Sequence, residues 1–330
     1  MDDVRGTARQ VSPDSLVLAV SVKTNVLLPV VTGVFQGSIY GLIALGVVLL
    51  YKSNRIFNFA QGEFGTVAAI TANAALGWSL FGWHPPYAVA MLIGVVAGTL
   101  TAVLTERVVI RPLFDRPKVT LTVATVGVAL LLIAVETLAV KQQKAFPGFS
   151  TRIHALSKKP YWFQVFGRGI SYEEALCLFM LIVLAVAAAL FFTKTNTGIA
   201  ILAVSQEATA SSLVGISIGR VSLVTWGLAG LLGSLAGLLL VPITGIAGPG
   251  YVTGTALFTG VAAAVLGGVT SLSGAFAGGI AIGVIEKLSN PENLTAFGLP
   301  NIPGLDQVIV GLVLLTILLV RPRGLLGKEV

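Results

Sequence analysis

The stretch VSLVTWGLAGLLGSLAGLLLVPITGIAGPGYVTGTALFTGVAAAVLGGVTSLSGAFAGGIAIGVI, Val221 to Ile285, contains no charged side chain and decides the fold class. It is long enough for three membrane passes, because one helical span takes about 20 apolar residues. Two shorter charge-free runs lie between Glu63 and Glu106 and between Glu174 and Lys194. The sequence lacks the alternating strands of about 10 residues that are typical of membrane barrels, so backbone hydrogen bonds have to form within helices. We therefore predict an all-α membrane protein.

The composition of the whole chain agrees with this prediction. Of the 330 residues, 55% are hydrophobic and 11% are charged, and the mean hydropathy is +0.92. Soluble domains carry about 25% charged residues. The net charge of +7 does not indicate nucleic acid as a partner, because the basic residues lie in short links between apolar segments. Residues 1–24 lack the features of a signal peptide, and we expect a soluble tail there.

Nine apolar segments predict a polytopic bundle of about 8 to 10 transmembrane helices. The segments cover roughly residues 25–51, 56–80, 87–107, 119–140, 172–193, 219–241, 255–270, 273–288 and 306–320. Basic residues follow the first, third, fifth and ninth segments. By the positive-inside rule these links are cytoplasmic, which places the N-terminus outside and the C-terminus inside. The predicted transmembrane domain is 25–320, with a cytoplasmic tail at 321–330.

One predicted external loop, residues 141–170, is strongly basic. It carries the lysines and arginines at 141, 144, 152, 158, 159 and 168 and no acidic residue. Such a loop is suited to attract an anionic or zwitterionic solute or an acidic docking partner. An ordinary solvated loop is the alternative.

Glycine recurs at helical spacing along the chain. A GxxxGxxxG run is formed by Gly33, Gly37 and Gly41, and the four-residue interval recurs at Gly94/Gly98, Gly233/Gly237, Gly274/Gly278 and Gly279/Gly283. Small residues at this interval let membrane helices approach closely. The pattern predicts a tightly packed bundle.

Two stretches break the helical pattern, one in each half of the chain. The first is FNFAQGEFG, Phe57 to Gly65, and the second is PITGIAGPGYVTG, which contains the helix breakers Pro242, Gly248, Pro249 and Gly250. Unwound backbone at membrane depth is tolerated where it is buried in protein or lines a cavity, and transporters place solute sites at such breaks.

A helix after the first break places small and polar residues on one face. At about 100° per residue this face carries Asn58, Gln61, Gly62, Gly65, Ala69, Ala72 and Asn73. The face is suited either to line a solute path or to form caps and interhelical hydrogen bonds. Glu63 lies about 100° away from Gln61, or in the first helical turn, where the helix dipole favours a carboxylate. Glu136 and Glu286 lie near the outer ends of their segments, and we expect them at the membrane interface.

No catalytic or metal-binding set is present in the sequence. His84 and His154 lie in different links, and HExxH, GxSxG and paired-cysteine motifs are missing. A phosphate-binding GxxxxGK[ST] loop is missing as well. We therefore predict that the chain is not an enzyme, holds no metal or cofactor, and does not hydrolyse ATP by itself.

The longest predicted cytoplasmic link is residues 194–219. Its sequence TNTGIAILAVSQEATASSLVGISIG predicts one short helix from about Ile199 to Leu213. The side chains of Ile201, Val204, Ala208 and Leu213 would share one face, opposite Gln206 and Glu207. Burial in the membrane interface and docking into a partner's groove both fit this pattern.

Several motifs together resemble the membrane permeases of bacterial branched-chain amino acid ABC importers. These motifs are IYGLIALGVVLLYKSNRIFNFAQGEFG (39–65), RPLFDRPKVTLTVATVG (111–127), NTGIAILAVSQEATASSLVGI (196–216), VLGGVTSLSGAFAGGIAIGVIE (265–286) and the closing RPRGLLG (321–327). They occur in the family's order and cover nearly the whole chain.

The resemblance implies a transport assembly in a bacterial inner membrane. Two permeases, identical or related, would span the bilayer with two cytoplasmic ATPases that hold ATP and Mg, and an extracytoplasmic protein would deliver solute. The resemblance places Asn58, Gln61 and Glu63 on or beside the solute path. We add Gly62, Gly65 and Asn73 as pathway candidates because they share the small, polar face of the helix after the first break. The implied ATPase-coupling residues are Thr197, Gly198, Ala203, Glu207, Ala208 and Gly215. Glu207 departs from the EAA-x3-G loop of other importers, so we assign no individual contact from that motif.

The solute that the resemblance implies is a branched-chain amino acid or a related amino or carboxylic acid, although the family also imports urea and amides. A passive channel or a secondary transporter for a small neutral solute is the alternative. A secondary transporter would require a buried ionisable residue near the middle of a span. The sequence indicates none that is convincingly central.

Overall fold

The computed structural model describes residues 13–77, 85–141, 163–165, 168–170, 172–244, 248–295, 300, 302–321 and 324–326. Its helices are α1 (Pro13–Asn54), α2 (Gln61–Leu76), α3 (Tyr87–Thr105), α4 (Lys118–Lys141), α5 (Tyr172–Lys194), α6 (Asn196–Gln206), α7 (Ala208–Leu213), α8 (Ile218–Thr244), α9 (Phe258–Gly267), α10 (Leu272–Leu288), α11 (Pro291–Thr295) and α12 (Leu305–Val320). Two π-helical turns, Glu106–Ile110 and Thr253–Leu257, and the 3-10 turn Arg111–Leu113 adjoin them. Each of the nine predicted apolar segments contains a helix, which confirms the all-α membrane bundle.

Three elements differ from the sequence predictions. Helix α1 begins at Pro13, so it extends into the stretch expected as a soluble tail. The link at 194–219 forms two helices, α6 and α7, instead of one. Residues 142–162 of the basic loop lie outside the described part, but its end forms a short antiparallel pair of strands, β1 (Phe163–Val165) and β2 (Arg168–Ile170).

Four described helices are long and apolar enough to cross a membrane: Leu27–Asn54, Tyr87–Leu113, Lys118–Val140 and Ile218–Val241. The pair Leu178–Lys194 and Asn196–Gln206, bent by 78°, gives a fifth if it is counted as one span. Helix α2 has 16 residues and is about 24 Å long, which is shorter than the hydrocarbon core of about 30 Å. The bundle therefore combines full spans with shorter helices that begin inside it.

Helix α1 lies at the centre of the bundle and packs on α5, α8, α9 and α10. Helices α3 and α4 lie at the periphery, where most of their apolar surface is open. On α3 and the π turn that follows it, an exposed apolar stripe repeats every four residues at Leu92, Val96, Leu100, Leu104 and Val108. An apolar stripe on the outside of a membrane bundle is suited to lipid or to another membrane helix.

The predicted glycine faces bring helix backbones into direct contact. A Cβ added at Gly37 of α1 would lie 2.6 Å from the carbonyl oxygen of Gly279 and 2.8 Å from the Cα of Ile280, both on α10. A Cβ added at Gly283 of α10 would collide with the backbone of Gly33 and Gly37. Larger side chains at these positions would separate α1 from α10, so the prediction of close packing is confirmed here.

We expect Gly37→Ala to destabilise the bundle by about 1–3 kcal/mol, because the added methyl group meets backbone that cannot rotate away. The matched control is Gly311→Ala on α12, where a Cβ would meet nothing within 4 Å. Thermal unfolding of both variants in the same detergent checks the prediction. A Gly37→Ala chain as stable as the control would contradict the close contact.

Candidate functional site

The first break is an unwound segment that turns back into the bundle. Helix α1 ends at Asn54, and Arg55 follows with a φ of 57°, in the left-handed region. The segment then passes α4, where the hydroxyl of Thr125 accepts a hydrogen bond from the backbone N–H of Phe59 at 3.1 Å. Unwound backbone inside a membrane needs such partners, because lipid offers none. Thr125 therefore holds the segment between α1 and α2 in place.

Asn58 stabilises the turn that leads into α2. Its Oδ1 accepts a hydrogen bond from the backbone N–H of Ala60 at 3.0 Å, and its Nδ2 donates to Oε1 of Gln61 at 3.4 Å. The side chain is almost completely buried. The structure thus places Asn58 at the turn that starts the helix.

Gln61 joins three helices. Its Nε2 donates a hydrogen bond to the backbone carbonyl of Ala229 on α8 at 2.7 Å. The same amide lies against Gly46 of α1 and Gly233 of α8, where a Cβ would collide with it or crowd it. Gly46 precedes the end of α1 by eight residues, so the Gln61 amide contacts α1 about 12 Å inside that end.

The remaining predicted pathway residues of α2 also lie in helix contacts. Gly62 lies against Thr253, and Gly65 lies against the backbone of Gly233 and Gly237 on α8. Asn73 is buried further along α2. The predicted polar face is therefore a packing face in this chain, and its role in a solute path stays a prediction.

The second break follows α8. Pro242 lies inside α8, which continues to Thr244, and its side chain and residues 245–247 lie outside the described part. Gly248, Pro249 and Gly250 form a turn in which Gly250 has a φ of 68°. A helical run from residue 251, with the π turn Thr253–Leu257, then leads into α9. The prediction of a break is confirmed at Gly248–Gly250, whereas the expectation that Pro242 interrupts the helix is wrong, because α8 continues through it.

The two breaks meet inside the bundle. The backbone N–H of Val252 donates a hydrogen bond to the hydroxyl of Thr66 at 3.3 Å. The backbone N–H of Gly250 donates to Oε2 of Glu136 on α4 at 3.0 Å. Together with the contact between Gly62 and Thr253, these bonds connect α2, α4 and the start of the helical run into α9. The sequence predicted each break but not that they touch.

Glu63 and Glu136 come together at this junction. Glu63 lies in the first turn of α2, as one of the two predicted placements has it, and is fully buried. Its carboxyl group lies beside Thr66, Thr253 and Glu136. The expectation that Glu136 is interfacial is wrong, because only 4% of it is exposed and it binds the second break. The sequence feature that could have indicated this role is that Glu136 is the only acidic residue of an otherwise apolar helix. An ionisable residue within a membrane span is by default a candidate functional residue.

Glu286 of α10 also forms hydrogen bonds inside the bundle. Its Oε1 accepts hydrogen bonds from the hydroxyl of Tyr40 at 3.0 Å and from Nε2 of Gln36 at 3.2 Å, both on α1. These bonds add a polar contact to the glycine interface between α1 and α10. The expected interfacial carboxylate is therefore a half-buried interhelical acceptor.

An ion pair fixes the link after α3. The fully buried Glu106 lies 3.2 Å from Nη2 of Arg111, and the same nitrogen donates to the backbone carbonyl of Gly219 at 2.8 Å. The guanidinium group thus ties the RPL link to the beginning of α8. Arg111 therefore gives the buried carboxylate of Glu106 a charged partner.

The predicted coupling residues surround the break between α6 and α7. Gly198 donates its backbone N–H to the Thr195 hydroxyl at 3.0 Å and packs on the end of α5. The backbone carbonyl of Ala203 accepts from the N–H of Glu207 at 3.1 Å. Glu207 has extended backbone, and its carboxylate accepts from the N–H of Thr209 at 3.3 Å, which caps α7.

The predicted apolar face of this link is only partly correct. Ile201 and Val204 are buried as expected, but Leu213 is 84% exposed because the break at Glu207 turns α7 out of line. The side chain of Ala208 lies outside the described part. Thr197 and Gly215 line a cavity of about 340 Å³ with Asn196, Ala200, Ile216, Ser217, Arg220, Val221 and Val224.

The sequence of this chain is similar to those of known membrane permeases. The family described as branched-chain amino acid transport system / permease component matches residues 30–318. The high-affinity branched-chain amino acid transport system permease proteins LivH of Escherichia coli K12 and BraD of Pseudomonas aeruginosa are 27% and 28% identical, each over 90% of this chain and 94% of its own length. The ribose import permease protein RbsC of Escherichia coli K12 is 27% identical over 72% of this chain and 68% of its own. No solved structure matches the chain significantly.

We expect Gln61→Ala to destabilise the chain by about 1–2 kcal/mol, because it removes an interhelical hydrogen bond in a buried site. The control is Gln307→Ala, since Gln307 is exposed on α12. Thermal unfolding of both variants in one detergent, with transport measured in parallel, checks the prediction. If Gln61→Ala lost transport but matched the control in stability, the amide would act on solute and not on helix packing.

Proposed function

The chain belongs to the family of branched-chain amino acid transport system permease components, and from this membership we propose that it is the membrane permease subunit of an ATP-driven ABC importer. The observation that carries the proposal is the family match over residues 30–318, which includes both helix breaks and the link with α6 and α7. The subunit forms part of a solute path across a bacterial inner membrane, with its N-terminus outside. ATP and Mg are held by separate ATPase chains.

The assembly we propose contains a second permease subunit, identical or related, two cytoplasmic ATPases and an extracytoplasmic solute-binding protein. The long apolar stripe on α3 supports a further membrane neighbour, either lipid or the second permease. The pathway residues in this proposal are those around the two breaks, because transporters place solute where helices are interrupted.

The solute we propose is a branched-chain amino acid or a related amino or carboxylic acid. The relatives named for branched-chain amino acid transport align over 90% of this chain, whereas the relative named for ribose import aligns over 72%. The fuller alignment supports an amino acid more than a sugar.

The end of α7 is the ATPase docking surface that we propose. Leu213 and Val214 are 84% and 77% exposed, and Gly215 follows them with a φ of 86°. Exposed apolar side chains in a short link between helices are suited to a groove on another protein. The 78° bend between α5 and α6 turns this link away from the line of α5.

Reconstitution in lipid vesicles tests the proposed function. With its ATPases and binding protein, the permease should concentrate a labelled branched-chain amino acid inside the vesicle only when ATP is hydrolysed. A non-hydrolysable nucleotide is the control. Flux without nucleotide would favour a passive channel, and uptake driven by a proton gradient alone would favour a secondary transporter.

The docking surface has a separate test. We expect Leu213→Ser to weaken binding of the ATPase subunits about tenfold, as removal of a central apolar contact does at other interfaces. Val320→Ser, which removes a similarly exposed apolar side chain at the end of α12, is the control. Retention of the ATPases on immobilised permease measures the effect. Equal retention of the ATPases by the two variants would show that the docking surface lies elsewhere on the permease.

A further inference from the structure

The junction of the two breaks contains buried oxygen atoms that lack hydrogen-bond partners. In the described part of the chain these are both carboxyl oxygens of Glu63, Oε1 of Glu136 and the hydroxyl of Thr253. Glu63 is fully buried, and Glu136 is 4% exposed. Buried polar atoms are almost always paired, so a group of unpaired ones at one place calls for a ligand. All of these atoms are oxygens, which suit a proton or a small cation.

The charges at the junction do not balance if both carboxyl groups are ionised. The carboxyl groups face each other, and neither has a lysine or arginine of the described ranges as an electrostatic partner. Two neighbouring carboxylates cannot both stay ionised in a dry interior, because burial and mutual repulsion oppose the second charge. The facing groups from the packed elements are uncharged: Thr66 of α2, Thr253 and the N–H of Gly250.

One negative charge, however, is well accommodated. The backbone N–H of Gly250 donates to Oε2 of Glu136, and Glu63 lies in the first turn of α2, where the helix dipole favours an anion. The site therefore supports a pair with a single negative charge. One carboxyl group keeps its proton, and the other is ionised.

We propose that Glu63 and Glu136 share one proton and form a proton-binding site where the two helix breaks meet. The O–H of the protonated carboxyl donates to an oxygen of the other, which supplies partners to atoms that otherwise have none. The Thr253 hydroxyl completes the site by donating to Glu63. This site goes beyond the proposed transport function, because an ATP-driven permease does not need a proton of its own.

The proton also stabilises the junction. Its loss at high pH leaves two negative charges side by side, and they push α2 away from α4. The folded chain therefore binds a proton that the unfolded chain releases at neutral pH, so the stability falls as the pH rises. The double variant Glu63→Gln/Glu136→Gln lacks both charges and should lose this part of the pH dependence.

Infrared spectroscopy of the full chain in lipid vesicles tests the proposal directly. A protonated carboxyl group absorbs at a different frequency from an ionised one, so its presence at neutral pH can be observed as a separate band. We expect the protonated-carboxyl band in the wild-type chain. In both Glu63→Gln and Glu136→Gln its intensity should fall by the contribution of one carboxyl group, because the new amide hydrogen-bonds the remaining carboxylate, which is then ionised. The control is Glu207→Gln, which removes an exposed carboxylate and should leave the band unchanged.

Three results would overturn the proposal. The first is that neither variant reduces the band. The second is that only one of them does, which would mean that burial of a single acid holds the proton. The third is that added sodium ions abolish the band, which would assign the oxygens to a metal ion. If a variant does not fold, a pH titration of the wild-type chain tests the proposal instead. The protonated-carboxyl band should disappear with rising pH as the thermal stability falls. A band that stays constant would contradict the shared proton.

Discussion

Backbone inside a bilayer has to find hydrogen-bond partners within the protein, and the centre of this structure depends on that constraint. The chain leaves the helical conformation at two places inside the bundle, and each place leaves backbone N–H groups that lipid could not satisfy. Side chains from other helices accept them: Thr125 binds Phe59, Thr66 binds Val252, and Glu136 binds Gly250. The breaks are therefore ordered parts of the bundle that depend on α2 and α4.

Small residues make these bonds possible because they let the backbones come close. Gly62 and Gly65 allow α2 to lie directly on Thr253 and on α8, which brings Gln61 within reach of the carbonyl of Ala229. A larger side chain at either glycine would move the hydrogen-bonding groups apart. At this junction the hydrogen bonds therefore form only because the helices pack closely.

The sequence predicted what depends on local pattern. The nine apolar segments, the glycine interval at Gly33, Gly37 and Gly41 and the break at Gly248–Gly250 are each visible within a few turns of the chain, and the structure confirms them. The partner of a break is not local, because Glu136 and Gly250 lie on different elements with α5 to α8 between them. The break at Glu207 was missed for another reason: the apolar period continues across it, but the acidic side chain caps a new helix instead.

The glycine face of α1 has a consequence for how the protein is made. Its partner α10 is synthesised more than two hundred residues later, which at 5–20 residues per second takes roughly 10–50 s on the ribosome. During that time the glycine face of α1 has no α10 to pack on, so it must face lipid or the insertion machinery. The central helix is therefore made well before the helix that covers its glycine face, and a chain truncated before α10 would leave this face open.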